Sequence, residues 1–192
     1  MSLAPQTLFE TALNLMSAVD ERMTYTAGRT AALVALSRAI AEKLGVDPLE
    51  LQRLEWACLF CDLGMLALPE SLVLKPSTLT LTETQQLRGH VNLSLQMLAN
   101  NPPPVPIADI VAAHHERYDG TGYPRGLRGE EVSFVANILS AADTLIALAS
   151  DRPHRRGFDA GMIWQTISAE RARQFYPEII DALEEIDLVP YL

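Results

Sequence analysis

Apolar residues return every three or four positions along most of this chain, and the polar residues between them mark out a succession of helices. Ala31, Leu33, Val34, Leu36, Ile40 and Leu44 fall mostly at helical spacing and predict a helix over 27–44, stopped by Gly45. An amphipathic helix over 6–21 precedes it. Pro48 opens a third, which turns Leu51, Leu54, Ala57, Cys58 and Cys61 inward and is expected to end near Gly64. Thr80 and Glu83 have the spacing of a capping box, so one helix is predicted to run past His90 to about Ala99, ended by Pro102 to Pro104. Further helices are expected over 107–115, 131–149, 160–172 and 177–186, and no repeat or low-complexity tract interrupts them. The expected class is therefore all-α.

Length and composition fit one domain, since 192 residues with 48% apolar content can bury a sizeable core. No apolar run is long enough to span a bilayer: the stretches near 56–74 and 132–149 are broken by Asp62, Pro69, Glu70, Asn137 and Asp143. The start MSLAPQ lacks a charged region followed by an apolar one, so a cytoplasmic location is expected. A net charge of −9 argues against duplex nucleic acid as a partner, because such binding depends on Lys and Arg neutralising phosphates. Locally the balance differs. Arg117, Arg125 and Arg128 surround a glycine-rich stretch, and Arg152, Arg155 and Arg156 follow Asp143; either group is a solvated surface or a place to hold an anion.

The chemistry concentrates in HHERYDGTGYPRGLRG, which starts at His114. Paired imidazoles beside carboxylates suit zinc, manganese or iron, ions that polarise phosphoryl oxygens and acidify bound water. Gly120, Gly122, Gly126 and Gly129 give the run the backbone freedom of a loop. Asp62 and Asp143 sit inside otherwise apolar stretches and must be paired, hydrogen-bonded or metal-bound there. Cys58 and Cys61 form a CxxC without a second pair, which reads as two small core residues on one helix face rather than as a structural zinc site. Cys61 keeps a second reading, as a thiolate in the place of an imidazole.

From Tyr25 to about Phe158 the sequence resembles the HD-GYP family, a branch of the HD superfamily of metal-dependent phosphohydrolases whose characteristic substrate is cyclic di-GMP. The resemblance rests on HHERYDGTGYPRGL at 114–127, with CDLGMLALPE at 61–70, LKPSTLT at 74–80, and SAAD ending at Asp143 followed by SDRPHR at 150–155. It implies an HD-superfamily helical bundle with a glycine-rich GYP loop: an N-terminal helix over 1–24 and an HD-GYP-like domain over 25–192. It also implies metal ligands at Asp62, His90, His114, His115 and Asp143, with Asp62 at the catalytic centre. Arg152 and Arg155 would hold phosphates, and Gly122, Tyr123 and Pro124 would dock a GGDEF-domain protein, with Tyr123 an exposed anchor rimmed by Arg125 and Arg128.

Three departures shape that expectation. Cys61 stands where the family's signature pair has His, Met65 where a Lys follows, and Arg29 where an upstream His is expected after Tyr25, Thr26, Ala27 and Gly28. Asp62, His90, His114 and His115 complete one coordination sphere, whereas the other keeps only Asp62 and Asp143, with Arg29 placed to pair with Asp143 as a substitute cation. The resemblance therefore implies about one divalent Fe, Mn or Zn ion per chain. Two readings stay open: a phosphodiesterase of cyclic di-GMP or a related nucleotide with weak or lost hydrolysis, and a catalytically silent sensing or docking module.

Overall fold

A computed structural model describes residues 4–22, 28–151 and 156–191. The described chain is helical, with no strand, and ten α-helices carry it: α1 (Pro5–Arg22), α2 (Arg29–Lys43), α3 (Pro48–Phe60), α4 (Glu70–Val73), α5 (Leu81–Arg88), α6 (His90–Asn100), α7 (Ala108–Ala113), α8 (Phe134–Ala149), α9 (Ala160–Ser168) and α10 (Pro177–Glu184). The helix starts are set by local chemistry. Asp47 accepts the amides of Leu49 and Glu50 ahead of α3, Ser133 accepts Ala136 N–H ahead of α8, and Asp159 accepts Met162 N–H ahead of α9.

At the centre, α2 and α3 pack on each other and on α8. Leu33, Leu36 and Ile40 meet Leu54, Ala57, Ile138, Leu139, Ala142 and Leu145 in one buried cluster. α8 is apolar nearly all round, as a helix surrounded by others must be. Its buried Asn137 satisfies the backbone of a remote turn, donating to the Gln174 carbonyl and accepting from Tyr176 N–H. α1 docks on this core, with Phe9 edge-on to Trp56 at 5.2 Å.

Several boundaries differ from the sequence expectation, and those beside Asp62, His90 and the histidine pair shape the site. The helix predicted from Pro48 to Gly64 stops at Phe60, and Leu63–Ala67 turn as a 3-10 segment, so Asp62 stands at a corner instead of inside a helix. The helix predicted from Thr80 to Ala99 divides at Gly89, whose N–H bonds the Gln86 carbonyl in a tightened turn, so His90 begins a new helix. α8 starts three residues later than predicted, at its Ser133 cap, and α9 stops at Ser168, before a turn in which Ala172 takes a left-handed φ of 58°.

Candidate metal centre

The site is assembled from three helix ends. Asp62 follows α3, His90 opens α6, and His114 and His115 follow the last residue of α7. Ending α7 at Ala113 frees His115 from the 100° step between adjacent helical residues, which would have turned the two rings apart. Their ring centres lie 3.9 Å apart, and that of His90 is 5.7 Å from His114 and 5.1 Å from His115.

Two small residues bring the first two elements together: Gly64, expected only as a helix end, and Ser94, which the sequence did not single out. A Cβ on Gly64 would lie 2.1 Å from the His90 carbonyl oxygen and 2.5 Å from the Ser94 nitrogen, so only glycine lets the Asp62 turn sit against α6. Buried Ser94 then ties the turn from both sides, accepting Gly64 N–H at 2.7 Å and donating to the Cys61 carbonyl at 2.9 Å. Gly64 lies two residues after Asp62 and Ser94 four after His90, an intelligible signal only once the two segments are known to touch.

The histidines are held in one tautomer. A carbonyl can only accept, so the contacts of His90 Nδ1 with Leu87 O (2.8 Å) and of His114 Nδ1 with Val111 O (2.7 Å) place a proton on each Nδ1. Nε2 is then the nitrogen that each of these two rings turns to the site. Both Nε2 atoms are buried and without a hydrogen bond, and they face Asp62 Oδ1 at 3.3 and 3.8 Å. An imidazole nitrogen facing a carboxylate oxygen needs a proton or a metal ion between the two atoms.

A transition-metal ion fits this donor set. One atom each from Asp62, His90, His114 and His115 lie within 4.8 Å of one another, and an ion with bonds of about 2.1 Å spaces its donors by about 3 to 4 Å. Backbone carbonyls on the far side of liganding imidazoles are the usual orienting partners. Burial works against the Asp62 charge, but Arg29, then His114 and His90, hold its carboxyl well below the usual carboxylate range. Burial and the neighbouring His114 keep His115 neutral, with its pKa well below the usual value.

Arg29 faces the other side of Asp62. Its guanidinium lies 3.0 Å from Asp62 Oδ2 and is hydrogen-bonded to Asp143 Oδ1, so the pairing with Asp143 expected from the sequence is present. Asp143, expected among the metal ligands, stands outside the four-residue cluster and is engaged by Arg29 instead. Cys61 does not stand in for an imidazole. Its side chain is buried, its S–H donates to the Cys58 carbonyl, and burial followed by the Asp62 charge pushes the thiol well above its usual pKa.

The GYP loop closes the site. Fully buried Glu116 accepts the amides of Arg125 (2.6 Å) and Leu127 (3.0 Å), fixing the loop against the base of the histidine pair. Gly122 packs its α-carbon on that backbone: a Cβ there would lie 2.4 Å from Arg117 N. Tyr123 is not the exposed anchor that the sequence suggested. Its half-buried ring stacks on His115 at 4.8 Å, because the loop folds back over the site, and Pro124, Arg125 and Gly126 beyond it are exposed. Arg152 and Arg155, expected to hold phosphates, lie outside the described residues.

A model of the HD domain family matches residues 13–179. The chain is 35% identical over 169 residues to a cyclic di-GMP phosphodiesterase response regulator of Xanthomonas campestris pv. campestris, covering 87% of this chain and 42% of that protein. It is 31% identical over 173 residues to 3'3'-cGAMP-specific phosphodiesterase 3 of Vibrio cholerae, covering 90% of this chain and 38% of the relative. The chain thus spans less than half the length of these two relatives. The solved structure of a cyclic GMP-AMP-specific phosphodiesterase of V. cholerae shares the fold at a TM-score of 0.75 and 17% identity, covering 95% of this chain and 49% of that one. Bd1817, an HDG"Y"P protein of Bdellovibrio bacteriovorus, does so at 0.67 and 22%, covering 83% and 53%. With the HD match spanning most of the length, the paired histidines and GYP loop in place and Cys61 standing before Asp62, the chain belongs to the HD-GYP branch of the HD domain family as a member with a degenerate HD pair.

Proposed function

We propose that this domain serves cyclic di-GMP signalling by binding cyclic di-GMP or a related cyclic dinucleotide at a centre that holds one Fe, Mn or Zn ion, with slow or lost hydrolysis. The observation that carries this reading is the division of Asp62: Oδ1 faces two buried imidazole nitrogens that make no hydrogen bond, whereas Oδ2 is occupied by Arg29. One side awaits a cation and the other already has one, tethered to α2.

An ion bound by Asp62, His90, His114 and His115 would polarise a phosphoryl oxygen and acidify water. The protein's own part is to hold those donors oriented, through the Leu87 and Val111 carbonyls and the Tyr123 wall. A guanidinium on Asp143 and Asp62 neutralises the carboxylates but activates no water, so the second half of a two-ion displacement has no counterpart at Arg29. The limits of the domain, 25–192 behind a helix over 1–24, belong to the same reading. So does a cytoplasmic location: both cysteines are free thiols, which suits a reducing compartment, and no described helix is long and apolar enough to cross a membrane.

Elemental analysis beside product chromatography tests the proposal. The expected results are about one transition-metal ion per chain, measurable cyclic di-GMP binding, and turnover far below roughly one per second. Arg29→His should raise the metal content towards two. Two tightly held ions in the parent, or ordinary turnover, would overturn it. A second reading, in which Gly122, Tyr123 and Pro124 dock a GGDEF-domain protein, draws on the exposed edge at Pro124 and Arg125. A pull-down comparing the parent with Arg125→Glu tests it, and equal capture would remove it.

A further inference from the structure

Arg88 ends α5, two residues before His90. Its guanidinium carbon lies 4.6 Å from the centre of the Tyr123 ring, and that ring stacks on His115 at 4.8 Å. Arg88, Tyr123 and His115 therefore form a file from the surface to the metal ligands. Arg88 is exposed, and among the described residues no carboxylate pairs with it. Two other arginines near the site are engaged, Arg29 by Asp62 and Asp143 and Arg117 by Asp119 and Glu170. A cation at a helix C-terminus is favoured by the helix dipole, but that does not explain why it folds over an aromatic ring at the mouth of a metal cluster. Stacking engages the face of a guanidinium and leaves its edge, with paired N–H groups, free for a bidentate acceptor.

We infer that Arg88 is the phosphate-binding residue of this site, held by the Tyr123 ring so that its N–H edge meets a phosphodiester of the nucleotide bound at the histidine cluster. The inference rests on the proposed nucleotide-binding function and names a contact that function leaves unassigned. Its chemistry selects the ligand class. An anion with two oxygens at one phosphorus fits the fork, and a single positive charge on a flexible stem would fit it less well.

The test is calorimetric titration of Mn-loaded parent, Arg88→Gln and Arg88→Lys proteins with cyclic di-GMP at two salt concentrations, with metal content and melting curves measured on the same samples. Arg88→Gln should weaken binding by about ten- to a hundredfold and flatten its salt dependence, with metal content and melting temperature unchanged. Arg88→Lys should recover part of the loss. Unchanged binding in Arg88→Gln beside a parent that binds would overturn the assignment and leave the nucleotide reading standing. A variant that loses its metal or melts many degrees lower would overturn it too, by making Arg88 a structural prop. A parent that binds no cyclic dinucleotide would overturn both.

Discussion

The two sides of Asp62 are built from the same acid and end in opposite electrostatic states. On the histidine side, His90 and His114 turn their Nε2 atoms towards Oδ1 without a hydrogen bond, and their opposite nitrogens are tied to backbone. On the Arg29 side, Oδ2 and Asp143 share a guanidinium, and those described groups need no further partner. Arg29 therefore does more than fill the space at position 29. The residue found there is itself a cation of fixed charge, which keeps two acids compatible in a buried place but supplies no Lewis acidity. The comparison shows how one carboxylate can meet imidazoles on one side and the protein's own cation on the other.

The largest expected effect breaks both sides together. In Gly64→Ala the new methyl group would meet backbone at 2.1 and 2.5 Å, and backbone cannot rotate away as a side chain can. The Asp62 turn would have to leave α6, costing on the order of 4 kcal/mol, so chemical denaturation should show a large loss of stability and metal binding should fall with it. A variant with parental stability would mean that the turn and α6 are not in contact as described.

A smaller change separates the sides. Arg29→Gln leaves Asp62 and Asp143 as like charges without their shared cation, which should cost about 3 kcal/mol and lower the melting temperature by on the order of 10 °C. The histidine side should keep its ion, and excess Mn should restore more stability to the variant than to the parent, because the freed carboxylates recruit a second ion. Equal melting temperatures without metal would show that Arg29 is not the substitute cation. Cys61→His is the poorer route to a second ion, since a larger ring must enter a packed core.

The smallest effect sharpens the contrast by leaving both sides alone. The Glu83 carboxyl, held by Lys75 and by Thr80 at the cap of α5, is lowered to about 2 from an ordinary 4.5. A depressed acid stabilises the folded state above its unfolded value and loses that contribution as the pH falls through the folded one. Glu83→Gln should therefore be slightly less stable than the parent at pH 7, the gap closing as pH falls from about 4.5 towards 2. Melting curves across that range check it, and a gap that widens in acid would contradict the assignment.

Local chemistry made much of this molecule readable from its sequence. The capping box at Thr80 and Glu83, Pro48 at the start of α3 and the apolar run of α8 all act within a turn or two of chain, so helices appear where periodicity and caps put them. The clustered residues Asp62, His90, His114 and His115 were legible because the residue types and the loop that follows them are unusual together. What the sequence could not decide were relations between distant segments. The Arg29 bridge spans 114 residues to Asp143, and Ser94 clasps a turn 33 and 30 residues back. The stack of Tyr123 on His115, which turned an expected surface anchor into a wall of the site, depends on Glu116 folding the loop through two backbone amides. Helix formation is settled by neighbours along the chain, whereas the partner of a buried charge or ring is settled by whichever groups the packed core leaves beside it. Only the tertiary structure could therefore show that one side of Asp62 was already filled.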